Sequence, residues 1–109
     1  VQADILFGIH SEDIEEIKEI IEEILGRELE ARESFNWGHY YCLPFPERNF
    51  YLRYNEDQED GEVMEYNFSD FPLLLYISDA YRYPRYLTAV ESRSDVFVKL
   101  RTEQWDPKD

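Results

Sequence analysis

Residues 4–26, DILFGIHSEDIEEIKEIIEEILG, decide how this chain folds. The apolar run from Asp4 to Ile9 ends at Ser11-Glu12-Asp13, a polar helix-start signal, so a strand feeds directly into a helix with Ser11 as the expected N-cap. Ile14, Ile17, Ile20, Ile21, Ile24 and Leu25 then recur at spacings of three and four. They line one face over Glu12 to Leu25, and Gly26 supplies the left-handed stop. Ile17, Ile21 and Ile24 are expected in the core. A helix with one apolar stripe needs a sheet to cover, and the rest of the chain supplies the strands.

Downstream, Glu28 to Phe35 alternates, with Leu29, Ala31 and Phe35 on one side, and a turn at Asn36-Trp37-Gly38 leads into His39 to Leu43 as a hairpin. Pro44 and Pro46 interrupt the pattern, which restarts at Asn49 to Tyr54 with Phe50, Leu52 and Tyr54 facing one way. Glu56 to Gly61 is too charged to bury and reads as a projecting loop or wide hairpin connection. Leu73 to Ser78 is apolar enough for a central strand. Pro84 opens a second helix with Tyr83, Tyr86, Leu87 and Val90 on one face, and Val96 to Arg101 closes the sheet. Residues 103–109, with Trp105 and Pro107, read as a loose tail. The expectation is a single α+β domain over residues 1–109. It has a mainly antiparallel sheet of about five strands with two helices on one face, built on a ferredoxin-like split βαβ core with an extra strand.

Hydrophobic residues make up 43% of the chain and aromatics 17%, which excludes the low-hydrophobicity signature of disorder despite a net charge of -14. That charge comes from 25 acids against 11 Lys and Arg, and it is clustered. Residues 1–36 hold eleven acids and three bases, and residues 55–65 (NEDQEDGEVME) hold six acids and no base. Self-repulsion of this size opposes folding, so it is better explained by solubility or by a basic partner. The longest apolar run, Leu73 to Ile77, is far too short to span a bilayer. A lone cysteine, Cys42, forms no internal disulfide framework and fits a reducing compartment. A soluble cytoplasmic protein is expected.

Catalytic machinery is not legible. His10, His39 and Cys42 are the chain's imidazoles and thiol, and the spacing of His39 and Cys42 sends them to opposite faces of a strand, against both a zinc site and a Cys/His nucleophile pair. Placing Gly61 at the sixth position of a calcium loop puts Asn67 where a bidentate Glu belongs. No glycine-rich phosphate loop and no basic patch for a phosphate backbone is present. Tyr81-Arg82-Tyr83-Pro84-Arg85-Tyr86 is better read as a helix start than as a stacking site. No catalytic residue, metal, cofactor, membrane contact or direct nucleic-acid partner is expected. The expected partner-binding residues are Glu15, Glu19, Glu22 and Glu23 on the first helix, Glu56, Asp57, Glu59, Asp60 and Glu62 in the acidic loop, and Trp37 and Tyr40 as aromatic anchors.

The segments Ala31-Arg32-Glu33-Ser34, Gly38-His39-Tyr40-Tyr41, Tyr51-Leu52-Arg53-Tyr54-Asn55 and Phe71-Pro72-Leu73-Leu74-Leu75-Tyr76 resemble small bacterial immunity proteins, the cytosolic antidotes to contact-dependent or polymorphic toxins. The resemblance implies a non-enzymatic protein that blocks one toxin domain, often by covering a basic nuclease site with acidic side chains. Three classes stand open at this point: an immunity or inhibitor protein for a basic toxin domain, a nucleic-acid mimic, and a small enzyme or ligand-binding domain using the sheet face near Cys42 and the tyrosines.

Overall fold

The computed structural model describes residues 1–35, 37–57 and 61–106. The chain runs β1 (Gln2–Ile9), α1 (Ile14–Leu25), β2 (Glu30–Ser34), β3 (Gly38–Cys42), β4 (Phe50–Tyr54), β5 (Leu73–Ile77), α2 (Pro84–Glu91) and β6 (Val98–Trp105). The strands form one sheet in the order β2-β3-β4-β5-β1-β6, and every neighbouring pair is antiparallel. The order β4-β5-β1-β6, with α1 and α2 as the connections, is the split βαβ arrangement. The β2–β3 hairpin extends it beyond β4, and because both of its arms pair into the sheet the strands number six rather than about five.

Alternation along the strands builds the core. Ile5, Phe7 and Ile9 of β1, Phe50 and Leu52 of β4 and Leu73, Leu75 and Ile77 of β5 share one face. They pack with Ile14, Ile17 and Ile21 of α1, with Leu87 and Val90 of α2, and with Phe97. Ile24, expected in the core, is half-buried at its margin because it lies at the last turn of α1. The α1 stop is as expected: Gly26 is left-handed (φ 67°) and its N–H donates to the Glu22 carbonyl at 2.9 Å. The start differs. Asp13 is the N-cap, its carboxylate accepting the Glu16 N–H at 3.1 Å, while the Ser11 hydroxyl accepts the Asp13 N–H at 3.1 Å in the preceding turn.

Ala31 and Phe35 also depart from expectation. β2 is the sheet edge, all five of its residues are exposed, and the strand ends at Ser34, so Phe35 falls in the turn and leaves 83% of its surface to solvent. At the other edge β6 runs on through Trp105. Residues 103–105, read as tail, pair with Asp4, Ala3 and Gln2, and residues 107–109 lie outside the described residues.

A glycine is required at Gly8, on the face away from the helices. A Cβ there would lie 2.5 Å from the Phe71 ring and 2.8 Å from Leu100, and the Phe71 ring in turn stacks on His10 at 4.2 Å. The far end of the molecule is held by Glu47, whose carboxylate accepts the Tyr86 hydroxyl at 2.9 Å and pairs with Arg27. Burial works against charge there, but the backbone N–H, Tyr86 and Arg27 outweigh it and hold the Glu47 carboxyl below its usual range.

Candidate functional site

Four connections meet the sheet at one end, one of them from α2 into β6 at Val98, which pairs with Gly8; the other three carry the acidic and aromatic residues of interest. Ile9, the last residue of β1, pairs with Leu73, the first of β5, and Leu73 pairs with Tyr54, the last of β4. β3 begins beside the end of β4 because the two are antiparallel. The β1–α1 turn, the β2–β3 turn and the long β4–β5 crossover therefore emerge together. They bring Glu12 and Asp13 of the first, Phe35 and Trp37 of the second and Glu56, Asp57 and Glu62 of the third to one end of the molecule.

The crossover is tied down by one buried amide. The Asn55 side-chain amide donates to the Phe68 and Phe71 carbonyls, each at 2.9 Å, and its Oδ1 accepts the Glu65 N–H at 2.9 Å. With these bonds made, the described flanks of the acidic stretch pair with each other, while the loop or hairpin expected over Glu56 to Gly61 falls partly outside the described residues. Glu56 bridges to Val63, the Asp57 N–H donates to the Glu62 carbonyl at 2.7 Å, and Gly61, with φ 76°, donates to the Asp57 carbonyl at 2.9 Å. Between this hairpin and the start of α1 lies a cleft of about 370 Å³ lined by Glu12, Tyr54, Asn55, Glu56, Phe71 and Pro72 among others, with carboxylates from both connections. Glu59 and Asp60 lie outside the described residues.

The sequence-predicted residues do not all meet. On α1, Glu15, Glu19 and Glu23 are exposed and Glu22 is half-buried, and Glu15 and Glu22 also make contacts within the fold. The Glu22 carboxylate accepts the Leu29 N–H at 2.8 Å and lies 3.6 Å from Lys18, fixing the α1–β2 link. Glu15 accepts the Tyr41 hydroxyl and lies 3.9 Å from His39 Nε2. All four glutamates belong to the helix on the core side of the sheet, with Glu19 and Glu23 turned to solvent. Trp37 and Tyr40 sit on the opposite face, where the Trp37 ring meets Tyr40 at 5.1 Å and Tyr51 at 5.7 Å, edge-on. Trp37 is thus grouped with the acidic crossover at one end, and α1 runs away from it, carrying Glu19, Glu22 and Glu23 with it. Cys42 is buried on the open face, burial pushing its thiol up, and His39 is on the helix side, as their spacing requires.

Two residues at this end escaped the sequence reading. The alternation places Phe35 on the side of Leu29 and Ala31, but the strand stops one residue earlier, at Ser34. Glu12 reads from the sequence only as part of the helix-start signal, and its place across the cleft from Glu56 depends on the sheet order, which no local pattern encodes.

The Glu15 contact gives a measurable signature. Its hydrogen bond, burial and the Glu15 charge push the Tyr41 hydroxyl up to about 12 from the ordinary 10.0. Because the folded value is raised, the stabilisation is fully present below pH 10 and is lost as pH rises through about 12. In an ultraviolet phenolate titration, Tyr41→Phe is expected to remove one late-ionising phenol and Glu15→Gln to bring that phenol down. An unchanged titration in both variants means that the contact is absent in solution.

Among the described residues no group of three or more His, Cys, Asp or Glu side chains could hold a metal ion, and no helix is long and apolar enough to cross a membrane. No protein-family model, curated protein or solved structure matches this chain.

Proposed function

We propose that this chain is a non-enzymatic immunity or inhibitor protein of the cytoplasm that binds and neutralises a basic toxin domain, a nuclease being the toxin class whose active site best complements its charge. The observation that carries the reading is the grouping of carboxylates from two separate connections, Glu12 and Asp13 with Glu56, Asp57 and Glu62, at the end that also presents Phe35 and Trp37. An exposed Phe35 and a half-buried Trp37 at the end that carries these carboxylates provide anchors for slow release beside a field for fast capture. Tyr66, 74% exposed in the crossover, extends the apolar part of the same end. The fixed hairpin geometry around Asn55 means that little ordering is left to be done on binding.

Affinity capture from the native host with the intact chain, followed by mass spectrometry, tests this. The expected result is one basic protein with nuclease activity that the chain abolishes at a one-to-one ratio. Capture of many unrelated nucleic-acid-binding proteins makes the chain a nucleic-acid mimic instead, and an acidic or neutral partner overturns both.

A further inference from the structure

The sheet face turned away from the helices has a different chemistry. Two cross-strand rows lie on it, Arg32-Tyr40-Arg53-Leu74 and Glu30-Cys42-Tyr51-Tyr76-Leu6-Arg101. Arg53 is 8% exposed, and its Nε is buried with no hydrogen-bond partner. Among the described residues its Nη1 meets the Met64 thioether, at 3.2 Å, and the Trp37 ring lies over the guanidinium at 4.9 Å. Among the described residues no carboxylate comes within ion-pair distance of it. Glu65, whose field it feels, is bonded to Arg101 at 3.0 Å. Arg48, also outside every ion pair of the described residues, extends its positive field to Tyr51 and Cys42.

A buried guanidinium short of an anion costs stability that an apolar side chain of similar volume would not, and this chain has carboxylates in excess with which to satisfy it. Around it stand half-exposed rings in mutual contact: Trp37 and Tyr40, Trp37 and Tyr51, and Tyr51 and Tyr76 at 6.2 Å. Aromatic faces beside an unpaired guanidinium suit a ligand that is flat and negative.

We propose that this open face binds a planar organic anion, an aromatic ring bearing a carboxylate or a phosphate, with the ring stacked among Trp37, Tyr40 and Tyr51 and the anionic group on the Arg53 guanidinium. The cover over Arg53 is Trp37, carried by the turn of the edge hairpin rather than by a central strand, so the ligand reaches the guanidinium by displacing or joining that indole. The site shares Trp37 with the acidic end, but its anion-binding group, Arg53, lies on the open sheet face, and the proposal does not depend on the immunity reading.

The test titrates the full chain, in a Trp105→Phe background so that Trp37 is the reporting indole, with benzoate, AMP, adenosine and inorganic phosphate. Fluorescence and the Arg53 Nε–H resonance are followed together. Benzoate or AMP is expected to saturate below about 10 mM and to move both signals, with adenosine at least about tenfold weaker. A response to benzoate alone assigns a carboxylate ligand, and to AMP alone a phosphate ligand. Arg53→Met is expected to lose binding about tenfold or more while melting no lower than the parent, and Arg53→Lys to retain part of it. Tyr40→Ala, which leaves Arg53 in place, is expected to weaken binding by a similar factor and serves if Arg53→Met does not fold. The proposal is overturned if neither benzoate nor AMP saturates, if adenosine or inorganic phosphate binds as well as AMP, or if binding survives in whichever of the two variants is folded.

Discussion

Ile21→Ala is expected to lower the free energy of unfolding by about 2–5 kcal/mol, the range for deleting a fully buried aliphatic side chain. Ile21 retains none of its accessible surface and sits in the cluster that joins α1 to the sheet and to α2. The remaining holds of the helix are the buried Ile14 and Ile17 and the contacts of Glu15 with Tyr41 and of Glu22 with the Leu29 N–H. Its outer face is glutamate relieved by Lys18, and like charges three and four apart oppose helix formation by roughly 0.2–0.5 kcal/mol each. A domain of this size has a total stability of about 5–15 kcal/mol, so the loss is a large part of the whole. Chemical denaturation measures the loss. Ile24→Ala, at a half-buried position on the same stripe, is expected to cost clearly less. A loss below about 0.5 kcal/mol at Ile21 is incompatible with the packing described.

What the sequence made legible follows from which interactions are local. The α1 stripe, its Gly26 stop, the hairpin and the two later strands were readable because spacing alone assigns a side chain to a face. The N-cap was misread because Ser11 and Asp13 both accept a backbone N–H here, and only geometry tells which one opens the helix. Phe35 was misread for a similar reason: alternation shows where an inward position would fall, but not the residue at which the strand stops. The site was half legible. Charge clustering identified the acidic crossover, and the hairpin turn identified Trp37, yet their meeting at one end depends on β3 and β4 pairing side by side. The same pairing put the α1 glutamates on the other side of the sheet from Trp37. Arg53 was invisible as a candidate, since alternation places it opposite Leu52 without revealing that no carboxylate follows it there.

Glu12→Lys combined with Asp57→Lys is expected to slow association with the captured basic partner about tenfold or more at low salt and to flatten the salt dependence of the rate. The two positions lie in connections that share the acidic end, and each reversal removes a negative charge and adds a positive one where the partner first meets the field. Steering of this kind raises association rates well above those of neutral pairs and fades as ionic strength shortens the screening length to about 8 Å at physiological salt. Trp37→Ala should behave in the opposite way, leaving association nearly unchanged while speeding dissociation by about thirtyfold. An aromatic anchor of about 2 kcal/mol acts after contact is made and has no long-range field. Glu19→Lys with Glu23→Lys is the decisive control, because it changes net charge by the same amount on the outer surface of α1, away from that end. If this pair slows association as much as Glu12→Lys with Asp57→Lys, capture responds to total charge rather than to a defined surface. If neither pair alters the rate, the net charge of -14 serves solubility and the acidic end is not where the partner binds.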